Sequence, residues 1–122
     1  LIKKIEKIDE LFDENKPKVI INDNFEAIYF SRATIPFLRN EEKKEWLNHA
    51  KFFKHIGIYA YRNDVLDKIT QLQPSFLELS ESLEQLRWIE NGFTIKTKET
   101  QHESFGIDTP EDLEKAIKFL SK

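Results

Sequence analysis

The side chains in this 122-residue sequence that could do chemistry fall into small groups, each with a spacing that suggests a use. Phe52–Arg62 reads FFKHIGIYAYR, an alternating pattern with Ile56, Ile58 and Ala60 on one face and His55, Gly57, Tyr59 and Tyr61 on the other. Imidazole and phenol groups both donate and accept hydrogen bonds, which suits a polyhydroxylated ligand. In an extended strand His55 and Tyr59 point the same way, about 13 Å apart, along one shallow groove. Ser31-Arg32 closes a run of strand-forming residues, and a guanidinium at a strand end can hold a carboxylate through two parallel hydrogen bonds. Glu84 and Gln85, within SESLEQLR, offer a carboxylate and an amide from a helix. Asp108 stands just before Thr109-Pro110-Glu111-Asp112, where a strand gives way to a helix, a place suited to holding Mg²⁺ beside a phosphate. Each group also has a plainer reading: a solvated loop arginine, a satisfied histidine and a strand tyrosine, a solvated helix face, a second capping acid.

Much other chemistry is excluded. The chain has no cysteine, so disulfides, thiolate catalysis and sulfur-based zinc sites are out. His49, His55 and His102 lack metal-ligand spacing, and there is no GxGxxG, no P-loop and no GxSxG. A formal net charge of −3 offers no global attraction to nucleic acid or an anionic membrane. No apolar run approaches the roughly 18 residues of a membrane span, and no signal-peptide pattern opens the chain. These features fit a cytoplasmic protein with no nucleic-acid or membrane partner. The chain starts at Leu1 and contains no methionine, so it is expected to be an excerpt or processed piece of a longer polypeptide.

The elements that must position these groups follow from periodicity. Ile2, Ile5, Ile8, Leu11 and Phe12 predict a helix over Leu1–Phe12, ended by Asp13–Pro17. Lys18–Ile21 and Phe25–Ser31, flanking Asn22-Asp23-Asn24, predict a β-hairpin. Glu41–Trp46 reads as helical, Phe52–Arg62 as a strand, and Val65–Leu72 as a helix stopped near Pro74. Leu79, Leu83, Leu86 and Ile89 predict one helix over Phe76–Gly92, with Gly92 as its stop. Phe93–Thr97 reads as a short strand. Thr109 as N-cap, Pro110 at the first helical position and Leu113, Ile117 and Leu120 on the buried face predict a final helix. With no repeat or linker, residues 1–122 read as a single α/β segment.

Taken together and in order, AIYFSRATIP (Ala27–Pro36), KHIGIYAYR (Lys54–Arg62), ESLEQLRWIENG (Glu81–Gly92) and GIDTPEDLEKA (Gly106–Ala116) resemble the carboxyl-terminal half of the 3-deoxy-manno-octulosonate (Kdo) cytidylyltransferases. The resemblance implies an enzyme that couples CTP to the sugar acid Kdo, releasing pyrophosphate and forming CMP-Kdo for lipopolysaccharide assembly. It implies a Mg²⁺-dependent cytoplasmic homodimer with a Rossmann-like three-layer fold, a mixed sheet and a β-hairpin dimerisation region. By resemblance Arg32 binds the Kdo carboxylate with Ser31 close by, and His55, Tyr59, Glu84 and Gln85 contact the sugar. Asp108 matches a catalytic metal-binding aspartate. The nucleotide-binding amino-terminal half of that family has no counterpart here, so the isolated segment is expected to be inactive on CTP. The rival readings are a cytidylyltransferase for another acyl sugar, such as a sialic acid, and a non-catalytic assembly module using Phe37, Trp46, Phe52 and Phe53.

Overall fold

The computed structural model describes residues 1–102, 107 and 110–121. Strands β1 (Ile2–Lys4), β2 (Lys18–Ile21), β3 (Ala27–Ser31) and β4 (Phe53–His55) form a four-stranded sheet in the order β1-β4-β2-β3. All its strand pairs are antiparallel. The α/β class stands, but the expected mixed sheet reduces, among the described residues, to an isolated parallel bridge between Ile2 and Glu99. Helices α1 (Ile8–Leu11), α2 (Trp46–His49), α3 (Asn63–Ile69), α4 (Phe76–Glu81), α5 (Gln85–Glu90) and α6 (Pro110–Leu120) complete the chain, with a 3₁₀ turn at Lys43–Glu45.

The β2–β3 hairpin forms where the β-branched and aromatic residues predict it. Its turn is built by Asn22, whose Oδ1 accepts from the main-chain amides of Asn24 (2.9 Å) and Glu26 (3.0 Å). The segment after α5 then crosses from one sheet edge to the other. Ala27 N–H donates to Ile95 O (2.9 Å) at the β3 edge, and Ile2 N–H donates to Lys98 O (3.0 Å) at the β1 edge. The expected strand at Phe93–Thr97 is therefore a strap tied by isolated bridges.

Three expected elements are shorter or divided. The stripe over Leu1–Phe12 splits into β1 and α1 because Ile2 is used by the sheet, opposite His55. Ile2 joins a cluster with Val19, Phe30, Leu83 and Leu86, whereas Ile5 and Leu11 join Trp46 and Phe52 in a second cluster. Two burial destinations override one helical period. The strand expected over Phe52–Arg62 ends at His55, because Ile58 N–H closes on Ile56 O (2.7 Å) in a tight turn around Gly57. Ile56 is buried and Ile58 is 57% exposed, so the alternation fails at that turn.

The helix expected over Phe76–Gly92 breaks at Ser82, which adopts a left-handed conformation (φ 53°) between α4 and α5. Glu78 clamps the break: it accepts Ser75 N–H on Oε2 (3.1 Å) and pairs with Arg87 of α5 through Nε (2.7 Å) and Nη2 (2.5 Å). Leu83 and Leu86 still reach the core, so the corner loses no apolar burial.

Two substitutions test this corner, each read by urea unfolding. Ser82→Gly removes the cost of a left-handed non-glycine residue and is expected to be neutral or stabilising by up to about 1 kcal/mol. Leu86→Ala, at a fully buried position, is expected to cost about 2–5 kcal/mol.

Candidate functional site

The end of β3 and the end of α4 meet at Glu81. Its Oε1 accepts the Ser31 hydroxyl (2.7 Å) and its Oε2 accepts the Arg32 main-chain amide (2.9 Å). Ser31 Oγ in turn accepts the amide of Ala33 (3.0 Å). The Arg32 side chain returns to the same corner: Nε donates to Glu81 O (2.7 Å), Nη2 to Ser82 O (3.3 Å) and Nη1 to Glu14 O (3.1 Å). The carbonyls of Glu81 and Ser82 are orphans at the C-terminal end of α4, where a cation is favourable. Arg32 is thus not the free strand-end arginine of the sequence reading. It is tied down by three of its five N–H groups. Two remain unused among the described residues, enough for one carboxylate.

Beside this corner lies a row of lysines that the sequence did not single out. The register places Lys3, Lys54, Lys18 and Ser31 opposite one another in successive strands, and so on one face of the sheet. Lys18 is 0% exposed and donates to Asp13 O (2.8 Å). Burial pushes its ammonium pKa down, and the charges of Asp13, Glu14 and Glu81 partly oppose that. Lys54, also buried, donates to both oxygens of Glu10 (3.0 and 3.2 Å), which Lys16 approaches at 2.6 Å. Burial pushes the Glu10 carboxyl up, but the two ammonium groups outweigh it and hold it below its ordinary value. The strand alternation carried a signal: Lys18 falls on the same face as Ile20 in a run that otherwise reads as core.

On the other face of β3, Phe30 meets the His55 ring edge-on at 5.3 Å. His55 and Tyr59, expected about 13 Å apart along a strand, are instead hydrogen-bonded, with Nε2 and Oη 2.7 Å apart. The turn at Gly57 folds Tyr59 back onto the histidine. Tyr59 stacks on Tyr61, and both meet the edge of Trp88 at 5.1 and 5.7 Å. The pair lines a mostly apolar cavity of about 470 Å³ with Ile2, Phe30, Trp88 and Ile95. Burial lowers the His55 pKa to about 4, with a smaller push from the Leu1 ammonium. Burial raises that of Tyr59, helped by Tyr61 and by the charge of Glu84. Both are therefore neutral near pH 7.

Glu84 is exposed at the start of α5. Gln85 is 5% exposed, and its Nε2 has no hydrogen-bond partner among the described residues. A buried amide donor left unpaired costs stability. The structure therefore sorts the expected residues into two patches beside the α4–α5 corner: Ser31 and Arg32 bound to Glu81, and His55 with Tyr59 in the aromatic cavity. Asp108 lies outside the described residues. Among those residues no group of three or more His, Asp or Glu side chains could hold a metal ion. No helix among them is long and apolar enough to cross a membrane.

Residues 1–96 match the model of the family described as Cytidylyltransferase. The chain belongs to that family. Among curated proteins it is 64% identical over 114 residues to a 3-deoxy-manno-octulosonate cytidylyltransferase of Cytophaga hutchinsonii, covering 93% of this chain and 46% of that protein. A protein of the same name from Parabacteroides distasonis is 60% identical over 111 residues, covering 91% of this chain and 44% of that one. Among solved structures, a CMP:2-keto-3-deoxy-manno-octonic acid synthetase complexed with CTP superposes with a TM-score of 0.85 at 40% identity, over 98% of this chain and 47% of that chain. The cytidylyltransferase family expected from the sequence motifs is thus met. The chain spans about half the length of these relatives. That share measures the extent of the match and not its position, so it lends nothing to the carboxyl-terminal placement expected from the sequence.

The environment of His55 fixes the sign of a pH effect. Its folded pKa of about 4 lies below the ordinary 6.5, so its stabilising contribution is present above about pH 6.5 and is lost as pH falls toward 4. Unfolding measured across that window should show declining stability, and the His55 ring resonances should titrate near pH 4. Ring resonances titrating near 6.5, with no pH effect on stability that His55→Gln abolishes, would contradict the buried neutral pair.

Proposed function

We propose that this chain supplies the sugar-acid-binding part of an enzyme that transfers CMP from CTP to Kdo, releasing pyrophosphate. The observation that carries this reading is the 64% identity to a 3-deoxy-manno-octulosonate cytidylyltransferase across 93% of the chain. The site geometry is compatible with it. Arg32 is held against main-chain carbonyls with two N–H groups left for the sugar-acid carboxylate, and Ser31 sits beside it. His55 and Tyr59 form a neutral pair able to exchange hydrogen bonds with hydroxyls. Glu84 precedes the adjoining helix α5, and Gln85 opens it with a side-chain amide nitrogen that has no partner among the described residues.

In the proposed reaction a hydroxyl of the sugar acid attacks the α-phosphorus of CTP. The new P–O bond forms as the bond to the β-phosphate oxygen breaks, pyrophosphate leaves, and the hydroxyl proton is released. The work of this chain's residues is to fix the sugar acid so that its hydroxyl faces the phosphorus, which lowers the barrier by orientation. Mg²⁺ would offset phosphate charge. The described residues do not by themselves provide a fitting site for it. Asp108 is the proposed ligand. Lipopolysaccharide assembly, a cytoplasmic location and a homodimer belong to the same proposal, as properties of the family this sequence resembles.

The test uses the full-length polypeptide at the length of its relatives, with CTP, Kdo and Mg²⁺. CMP-Kdo and pyrophosphate should form in equal amounts, and a sialic acid should be a poor substitute. Arg32→Ala should lower kcat/KM for Kdo by about 100-fold or more while the KM for CTP stays within about twofold. No turnover by the wild type, or unchanged Kdo kinetics in Arg32→Ala, would overturn the proposal.

A further inference from the structure

Glu81 touches Arg32 at both ends: its carboxylate accepts the Arg32 main-chain amide (2.9 Å) and its carbonyl accepts the guanidinium Nε (2.7 Å). The same carboxylate accepts the Ser31 hydroxyl (2.7 Å). We propose that Glu81 is a positioning residue of the sugar-acid site, holding Ser31 and Arg32 so that the two remaining guanidinium N–H groups are presented together to the substrate carboxylate. This inference rests on the assignment of Ser31 and Arg32 to that carboxylate.

The charge of Glu81 makes the case sharper. A carboxylate beside the group that binds an anionic substrate weakens the long-range attraction for that substrate. By charge alone its removal should improve binding. What it supplies in return is order. An arginine side chain has many rotamers, and a site that fixes them before the ligand arrives avoids that entropic cost on binding. Here the chain direction at Arg32 is set by the amide bond to Oε2, and the guanidinium plane by bonds to Glu81 O, Ser82 O and Glu14 O. The left-handed Ser82 is part of the arrangement, because it ends α4 where the carbonyls of residues 81 and 82 both meet Arg32. Fully buried Lys18, opposite Ser31 in the register, supplies a compensating positive charge that Glu81 in turn favours.

Charge and positioning thus predict opposite signs for one substitution. Glu81→Gln keeps the shape and one acceptor oxygen but cannot accept both hydrogen bonds. In the full-length enzyme, positioning predicts a KM for Kdo raised by roughly tenfold, with the KM for CTP changed by less than about twofold and cooperative unfolding retained. Ser31→Ala, which removes one donor to the same carboxylate, should move the Kdo KM in the same direction by less. The two substitutions together should fall short of additive. A Kdo KM unchanged or lowered in Glu81→Gln overturns the inference, as does a parallel rise in both KM values. If Glu81→Gln does not fold, an unchanged Kdo KM in Ser31→Ala overturns it. A wild type that neither binds nor turns over Kdo overturns the underlying assignment and this inference with it. A wild type that does both, matched by Glu81→Gln, overturns this inference alone.

Discussion

The hydrogen bonds from Ser31 and Arg32 to the carboxylate of Glu81 are the contact on which the rest of the arrangement depends. They join an edge strand to a helix end, and neither element could place the functional groups alone. β3 is five residues long and ends at Ser31, where a chain normally becomes a solvated loop. α4 is six residues long, too short to persist without tertiary contacts. The carboxylate caps the departing strand, and the arginine satisfies the carbonyls that the helix leaves open. Each element supplies the partner the other lacks.

Charge is balanced around this contact. Glu81 and Arg32 lie near Lys18, and across the sheet Lys54 is matched by Glu10. Buried ammonium groups are costly unless paired or hydrogen-bonded: Lys54 is paired with Glu10, and Lys18 donates to the Asp13 carbonyl with the charges of Asp13, Glu14 and Glu81 nearby. The other face of the sheet follows the opposite rule. There His55 and Tyr59 are kept neutral by burial and are hydrogen-bonded to each other. A charged corner and a neutral aromatic cavity thus stand on either side of one short strand.

How much of this was legible in the sequence depended on whether the signal was local. The β2–β3 hairpin was readable because Asn22 and the flanking β-branched residues act within a few positions of one another. The start of α6 at Pro110 was readable for the same reason. The division of Leu1–Phe12 was not, because Ile2 and Ile5 fit a helical period and only distant strands and rings decide that they serve separate clusters. Phe76–Gly92 failed likewise: the leucine spacing is continuous through Ser82, and the break is held by Glu78 and Arg87 from opposite sides. For the site, residue types singled out Arg32, His55 and Tyr59, which the structure divides between two patches, and spacing misplaced the last two. A turn at a glycine turned about 13 Å of strand into a hydrogen bond of 2.7 Å. Glu81 went unremarked because its role depends on Ser31 and Arg32, 50 and 49 positions away.

The central claim is that Arg32, already anchored on three main-chain carbonyls, receives the carboxylate of a sugar acid on the N–H groups that remain. The most direct measurement is a crystal structure of the full-length protein with Kdo bound. The account predicts the sugar carboxylate on the Arg32 guanidinium, with the bonds of Glu81 to Ser31 and Arg32 retained. A Kdo carboxylate held elsewhere, with Arg32 making only the main-chain contacts described above, would contradict it.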